Sequence, residues 1–166
     1  MVLGFEAGYS VRGTAGALSN IEYARDLLVE AETRIAAASG QIRRRRHAYV
    51  VRQSQEAVEL SLKSSLRLAG IEFPKEHEVG QVLSENSRRY PGWFSEKIPE
   101  MARVSMELFQ KRIPSMYGDE AGRGPRQLFT KEDASEALAD ARRVFSLVSR
   151  LFKLWYKERR RTRKNA

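Results

Sequence analysis

Clustered arginine and a scarcity of proton-transfer groups define the chemistry open to this chain of 166 residues. Arg43, Arg44, Arg45 and Arg46 stand side by side, while Lys157, Arg159, Arg160, Arg161, Arg163 and Lys164 gather near the other end around Glu158. Outside these clusters 20 basic and 20 acidic residues balance, so the net charge of +9 resides in two short patches. Concentrated arginine is the footprint of a polyanion partner, because each neutralised phosphate releases condensed counterions. The same pattern at a chain end also describes a solvated tail. Arg43, Arg44, Arg45, Arg46, Arg159, Arg160 and Arg161 are the candidate nucleic-acid contacts. The absence of cysteine excludes disulfides, thiolate-bound zinc and a cysteine nucleophile. His47 and His77 are the two histidines, too few for a His-based metal site. Glu56 and Glu59 lack the Glu-x-x-His partners of a bundle carboxylate site, so they read as a helix-surface pair and no metal is expected. Gly118, Gly122 and Gly124 lack the Gly-Lys-Ser/Thr ending of a P-loop, and with no other cofactor motif in view no cofactor is expected.

Helix signals dominate the elements that must position these residues. Ser19-Asn20-Ile21-Glu22 has the form of a capping box. Ile21, Ala24, Leu28, Ala31, Ile35 and Ala38 follow with three-and-four spacing up to Gly40. A second helix is expected from about Arg44 to Ala69, with apolar residues around much of its circumference, as suits a central element. A short helix follows His77, Pro91-Gly92 reads as a turn, and Trp93 to Arg112 resumes the helical pattern with Pro99 in its first turn. A glycine-bearing loop from Pro114 leads to Thr130, a plausible N-cap with Glu132 and Asp133 in the first turn behind it. The last helix sets Ala134, Ala137, Leu138, Ala141, Phe145, Val148, Leu151, Phe152 and Trp155 along one seam. These elements predict an all-α, up-and-down bundle of about five helices spanning 17–156, with an N-terminal extension at 1–16 and a basic tail at 157–166. A seam reaching Trp155 is long for a lone bundle and points to a partner. No apolar window approaches the roughly 18 residues of a membrane span. Residues 1–16 lack a basic start and an apolar core, so no signal peptide is expected and the chain reads as cytoplasmic.

The segment from Gln55 to Leu83 is the most distinctive. Glu59 precedes Lys63 by four residues, the favourable order for an ion pair on one helix face, and Gln55 precedes Glu59 by the same interval. Val58, Leu62 and Leu66 line an adjacent stripe, Ala69-Gly70 ends the run, and His77-Glu78-Val79 opens the next segment. This order resembles the HEPN family, small helical domains named for nucleotide binding in higher eukaryotes and prokaryotes. The resemblance implies a helical bundle, a homodimer, a nucleotide or RNA ligand and, for many small members, a separate minimal nucleotidyltransferase partner in a toxin–antitoxin-like arrangement.

Catalytic members of that family cut RNA with an Arg followed, after four to six residues, by a His, commonly with a Tyr two residues further on. Such an Arg can grip a phosphate through its fork, and the His can move a proton near neutral pH. Neither His47 nor His77 has an Arg at those separations. The nearest counterpart runs from Lys111 to Asp119, and setting Tyr117 on the family's Tyr places Ser115 where the His would stand. Serine has no accessible pKa for acid–base work, so no catalytic residue is assigned and the chain leans away from being an enzyme. Arg112, Tyr117, Asp119 and His77 are the candidate ligand-binding residues, with Arg112 on a phosphate and Tyr117 stacked on a base. Two other readings stay open, an active metal-independent ribonuclease with a variant site at Arg112 and Tyr117, and a non-enzymatic helical adaptor.

Overall fold

The structure, a computed structural model, describes residues 14–73 and 79–164. Among these the chain is all α-helical. The elements are α1 (Thr14–Gln41), α2 (His47–Leu68), α3 (Val79–Glu85), a 3-10 turn at Ser87–Arg89, α4 (Gly92–Ser95), α5 (Ile98–Tyr117), α6 (Pro125–Leu128) and α7 (Lys131–Lys164). Four long helices carry the bundle; α4 is a single turn that the sequence pattern merged into the helix after it, and α6 is a single turn within the stretch expected as a loop.

Helix α2 is the axis of the molecule and packs against α1, α3, α5, α6 and α7. Its centre is buried around most of its circumference, and small residues make this possible: Ala57, Ser61, Ser64 and Ser65 are fully enclosed beside Val58, Leu62 and Leu66. The hydroxyls need hydrogen-bond partners once removed from water. Ser61 donates to the Ala57 carbonyl at 2.8 Å, Ser65 to Leu62 at 2.7 Å, and Ser64 reaches across to the Ala24 carbonyl of α1 at 2.7 Å. The α2 terminus matches the expectation from Ala69-Gly70. Gly70 takes φ +66°, its amide donates to Arg67, and the amide of Ile71 donates to Leu66. This double return satisfies two carbonyls that the helix end leaves open, and it buries Ile71 against the core.

The helices alternate in direction. The starts of α2 and α7 meet where Val50 clusters with Ala134 and Leu138 against Ala38 of α1. At the opposite end Tyr90 joins α2 to α7. Its hydroxyl donates to the Ser65 carbonyl at 3.2 Å, and its ring stacks on Trp155 with centroids 5.9 Å apart. Trp155 therefore covers a residue of its own chain, so the reach of the α7 seam has an intramolecular cause and is not by itself a sign of a second subunit. Phe94, fully buried, fills the space beneath Tyr90. Helix α3 crosses α5 closely at Gly80, where a Cβ would lie 3.0 Å from the Ala102 Cα.

Several boundaries differ from those read in the sequence. Helix α1 begins at Thr14, so Ser19-Asn20-Ile21-Glu22 lies inside it and does not cap it; a capping-box pattern marks a helix start only where the preceding residues leave helical geometry. The stretch expected as one helix from Trp93 breaks at Glu96-Lys97 into α4 and α5, with Pro99 in the first turn of α5 as anticipated. Pro114 does not end α5, which continues to Tyr117. Proline removes a single donor, and this close to the terminus one lost bond leaves the rest of the last turn in place. Thr130 caps α7 as expected, with Asp133 completing the box: the Asp133 amide donates to Thr130 Oγ1 at 3.1 Å, and the Thr130 amide donates to Asp133 Oδ2 at 2.8 Å. From there α7 runs unbroken through the basic cluster to Lys164.

Candidate functional site

The Gln55, Glu59 and Lys63 side chains form one connected group on α2. Glu59 accepts from Lys63 Nζ at 2.7 Å through Oε1 and from Gln55 Nε2 at 3.0 Å through Oε2. Arg112 approaches the same Oε2 from α5, its Nη1 3.5 Å away. The Glu59 and Lys63 side chains keep 13% and 14% of their surface, so solvent screens this pair far less than an ordinary surface pair. Lys63 Nζ lies 5.3 Å from the Phe73 ring centroid, and the Arg67 guanidinium lies near the rings of both Tyr23 and Phe73 at 4.9 and 5.2 Å. The four-residue spacing on α2 thus builds a clamp that fixes α5 against α2 and a cation–aromatic cluster beside it.

Arg112 and Tyr117 occupy the final turns of α5. Tyr117 is 74% exposed, free of the core. Ser115 is buried, and its hydroxyl donates to the Arg112 carbonyl at 2.6 Å. Asp119 begins the loop that follows. It accepts from the Arg123 amide at 2.9 Å and from Arg123 Nε at 2.7 Å, and the Asp119 amide returns a bond to the Arg123 carbonyl. The Arg123 side chain first, and its amide second, hold the Asp119 carboxyl below the usual carboxylate range. Gly118 makes this closure possible, since its φ is +91° and a Cβ there would collide with the Arg123 carbonyl oxygen. Arg112, Tyr117 and Asp119 are therefore neighbours in the chain with separate engagements: Arg112 faces α2, Tyr117 faces solvent and Asp119 binds its own loop. His77 lies outside the described residues.

Arg43, Arg44, Arg45 and Arg46 are exposed on the turn between α1 and α2, with Arg45 in the left-handed region at φ 55°. Arg160 and Arg161 are exposed near the end of α7 and Arg159 is half-buried; Tyr156, Lys157, Arg160, Arg161 and Lys164 line a shallow groove of about 240 Å³. Because α7 starts beside the start of α2, the two arginine clusters lie at opposite ends of the bundle, roughly 40 Å apart at the helical rise. A larger exposed groove of about 660 Å³ separates α1 from α7, with Leu28, Val29, Phe145, Phe152 and Leu154 in its walls. Val29 and Leu154 are 54% and 40% exposed, an apolar surface that the sequence pattern did not single out. No group of three or more His, Cys, Asp or Glu among the described residues is placed to hold a metal ion, and no helix among them is long and apolar enough to cross a membrane.

An all-α bundle organised on a central helix with this Gln-Glu-Lys face is the architecture of a HEPN domain. The model of that family, described as "HEPN domain", matches residues 24–151, and the chain belongs to it. A curated relative in Methanocaldococcus jannaschii, named "Putative toxin MJ1304", is 29% identical over 143 residues, covering 82% of this chain and 93% of its own. A crystal structure of TT1696 from Thermus thermophilus superposes with a TM-score of 0.59 at 25% identity, over 76% of this chain and 96% of that one.

Proposed function

We propose that this HEPN-family protein is a toxin-like homodimer that binds nucleotide or RNA and works with a separate minimal nucleotidyltransferase. The observation that carries the binding half is the state of the segment aligned with the family's Arg-His-Tyr motif. Ser115, in the histidine's place, is buried and turned back onto the Arg112 carbonyl. It has neither the exposure nor the pKa for proton transfer. Exposed Tyr117 and the two arginine clusters keep groups suited to holding a ligand without cutting it. The curated relative's name, "Putative toxin", supports the toxin-like reading and, with it, a neutralising partner. Membership of the HEPN family, whose domains typically pair, supports the dimer. Purifying the protein, identifying copurifying nucleic acid and assaying that species for binding and cleavage tests the proposal. Binding without cleavage is the expected result; cleavage abolished by Arg112→Ala and Tyr117→Ala would establish the ribonuclease reading in its place.

A further inference from the structure

From Arg142 onward, α7 carries its charge on one side. Arg142, Ser146, Ser149, Lys153, Lys157, Arg160 and Lys164 follow at intervals of four, three, four, four, three and four residues, the spacing of a single helical face. Arg150 and Arg161 flank this line. Val144, Val148 and Leu151 occupy the buried side of the same helix. All of these cations are exposed, and Glu158, the acid of this stretch, sits about a third of a turn from the centre of the line at the helical angle per residue. At the helical rise the stripe is about 33 Å long. It is rigid, because α7 reaches Lys164 without a break.

We propose that this stripe is a track for the sugar–phosphate backbone of RNA, an inference that rests on the RNA-binding reading above. Seven lysines and arginines along one face, with small Ser146 and Ser149 between them, let a polyanion approach closely and release counterions along its length. Two of the cations are held in place by neighbours: the Arg150 guanidinium lies 4.2 Å from the Trp93 ring centroid, and Arg142 Nη2 donates to Ser39 Oγ at 2.7 Å. Glu32 of α1 lines the adjoining groove with Arg150 and Lys153 and is the acid facing the stripe from that side. The nearest aromatic groups are already engaged. Tyr156 stacks on Phe152, and Arg25 and Arg160 lie 5.2 and 5.9 Å from its ring centroid. The stripe thus offers charge without a free stacking ring, which reads phosphates rather than bases. A second copy of the chain is a poor occupant, because a two-fold axis along the stripe would set like charges against each other.

Fluorescence anisotropy across a salt series, with an RNA duplex of about 20 base pairs and a uridine oligomer of similar length as probes, tests the track. The combined variant Lys153→Gln, Lys157→Gln, Arg161→Gln should lower the slope of log affinity against log salt by about 2–3 for both probes, at roughly 0.7–0.9 per lost phosphate contact, with an unchanged melting temperature. The variant neutralised at Arg43, Arg44, Arg45 and Arg46 serves as the comparison at the other end of the bundle. Wild-type binding with a slope that the α7 variant leaves intact would overturn the track and leave RNA binding standing. Failure of the wild-type protein to bind either probe would overturn both.

Discussion

Arg112 Nη1 stands 3.5 Å from Glu59 Oε2, which places a guanidinium 53 residues further along the chain against the carboxylate at the middle of the α2 signature. The same carboxylate serves Gln55 and Lys63, so Glu59 is the acceptor on which three donors converge. A residue proposed to hold a phosphate thereby also fastens α5 to α2.

This sharing separates two variants that the sequence treats alike. Tyr117→Ala removes a 74% exposed ring and should weaken nucleotide or RNA binding by roughly 1–3 kcal/mol while leaving the melting temperature unchanged. Arg112→Ala should weaken binding and also lower the urea midpoint, because it loosens the α2–α5 clamp. Unaltered binding in both variants would remove the end of α5 from the ligand site.

Glu59→Ala should be the most damaging single change on the α2 surface. It leaves Lys63, Gln55 and Arg112 without their common acceptor in a position that solvent screens little, at a cost on the order of 3 kcal/mol. Equilibrium urea unfolding measures this, and a loss below about 0.5 kcal/mol would place the clamp among ordinary surface pairs.

Gly118→Ala should destabilise the loop after α5 more than Gly122→Ala. Both glycines have positive φ, but a Cβ at Gly118 would strike the Arg123 carbonyl whereas Gly122 faces open space. Limited proteolysis of the loop and thermal melting compare the two, with equal effects contradicting the steric argument.

The cap of α7 should make stability depend on acid. The Thr130 amide holds the Asp133 carboxyl below its usual range. A carboxyl depressed in the folded state contributes stability above its unfolded pKa of about 3.9, and that contribution is lost as pH falls through the folded value. Asp133→Asn should flatten the loss of stability below about pH 4, although Asp119, depressed by Arg123, still titrates in the same window. Thr130→Ala should cost roughly 0.5–2 kcal/mol at neutral pH.

The proposed homodimer should show the mass of two chains by light scattering or sedimentation at micromolar concentration. A monomer mass throughout would remove it.

Local signals in the sequence were enough for most of the fold. The three-and-four spacing of Ile21 to Ala38 and of Ala134 to Leu151 fixes which faces are buried, and Ala69-Gly70 and Thr130–Asp133 terminate helices as their chemistry requires. What a linear pattern hides is tertiary. The Glu59–Arg112 pairing joins residues far apart in sequence, and the Tyr90–Trp155 stack decides that the seam of α7 is covered from within. Ser19 and Pro114 misled because a cap or a proline marks a boundary only in combination with the backbone around it. The basic face of α7 follows the same helical spacing as its apolar seam and was legible in the positions of lysine and arginine.

The short turn from Ile42 to Arg46 carries a consequence for the order of folding. It closes α1 onto α2 with three backbone bonds and a single left-handed residue, and the hairpin it makes contains the Ser64–Ala24 bond. Contacts beside the turn have a small loop-closure cost, whereas α7 must return to α2 across the intervening residues 69–130. The α1–α2 hairpin should therefore be structured in the rate-limiting transition state, with Ser64→Ala slowing refolding and Ala141→Gly mainly hastening unfolding in stopped-flow experiments.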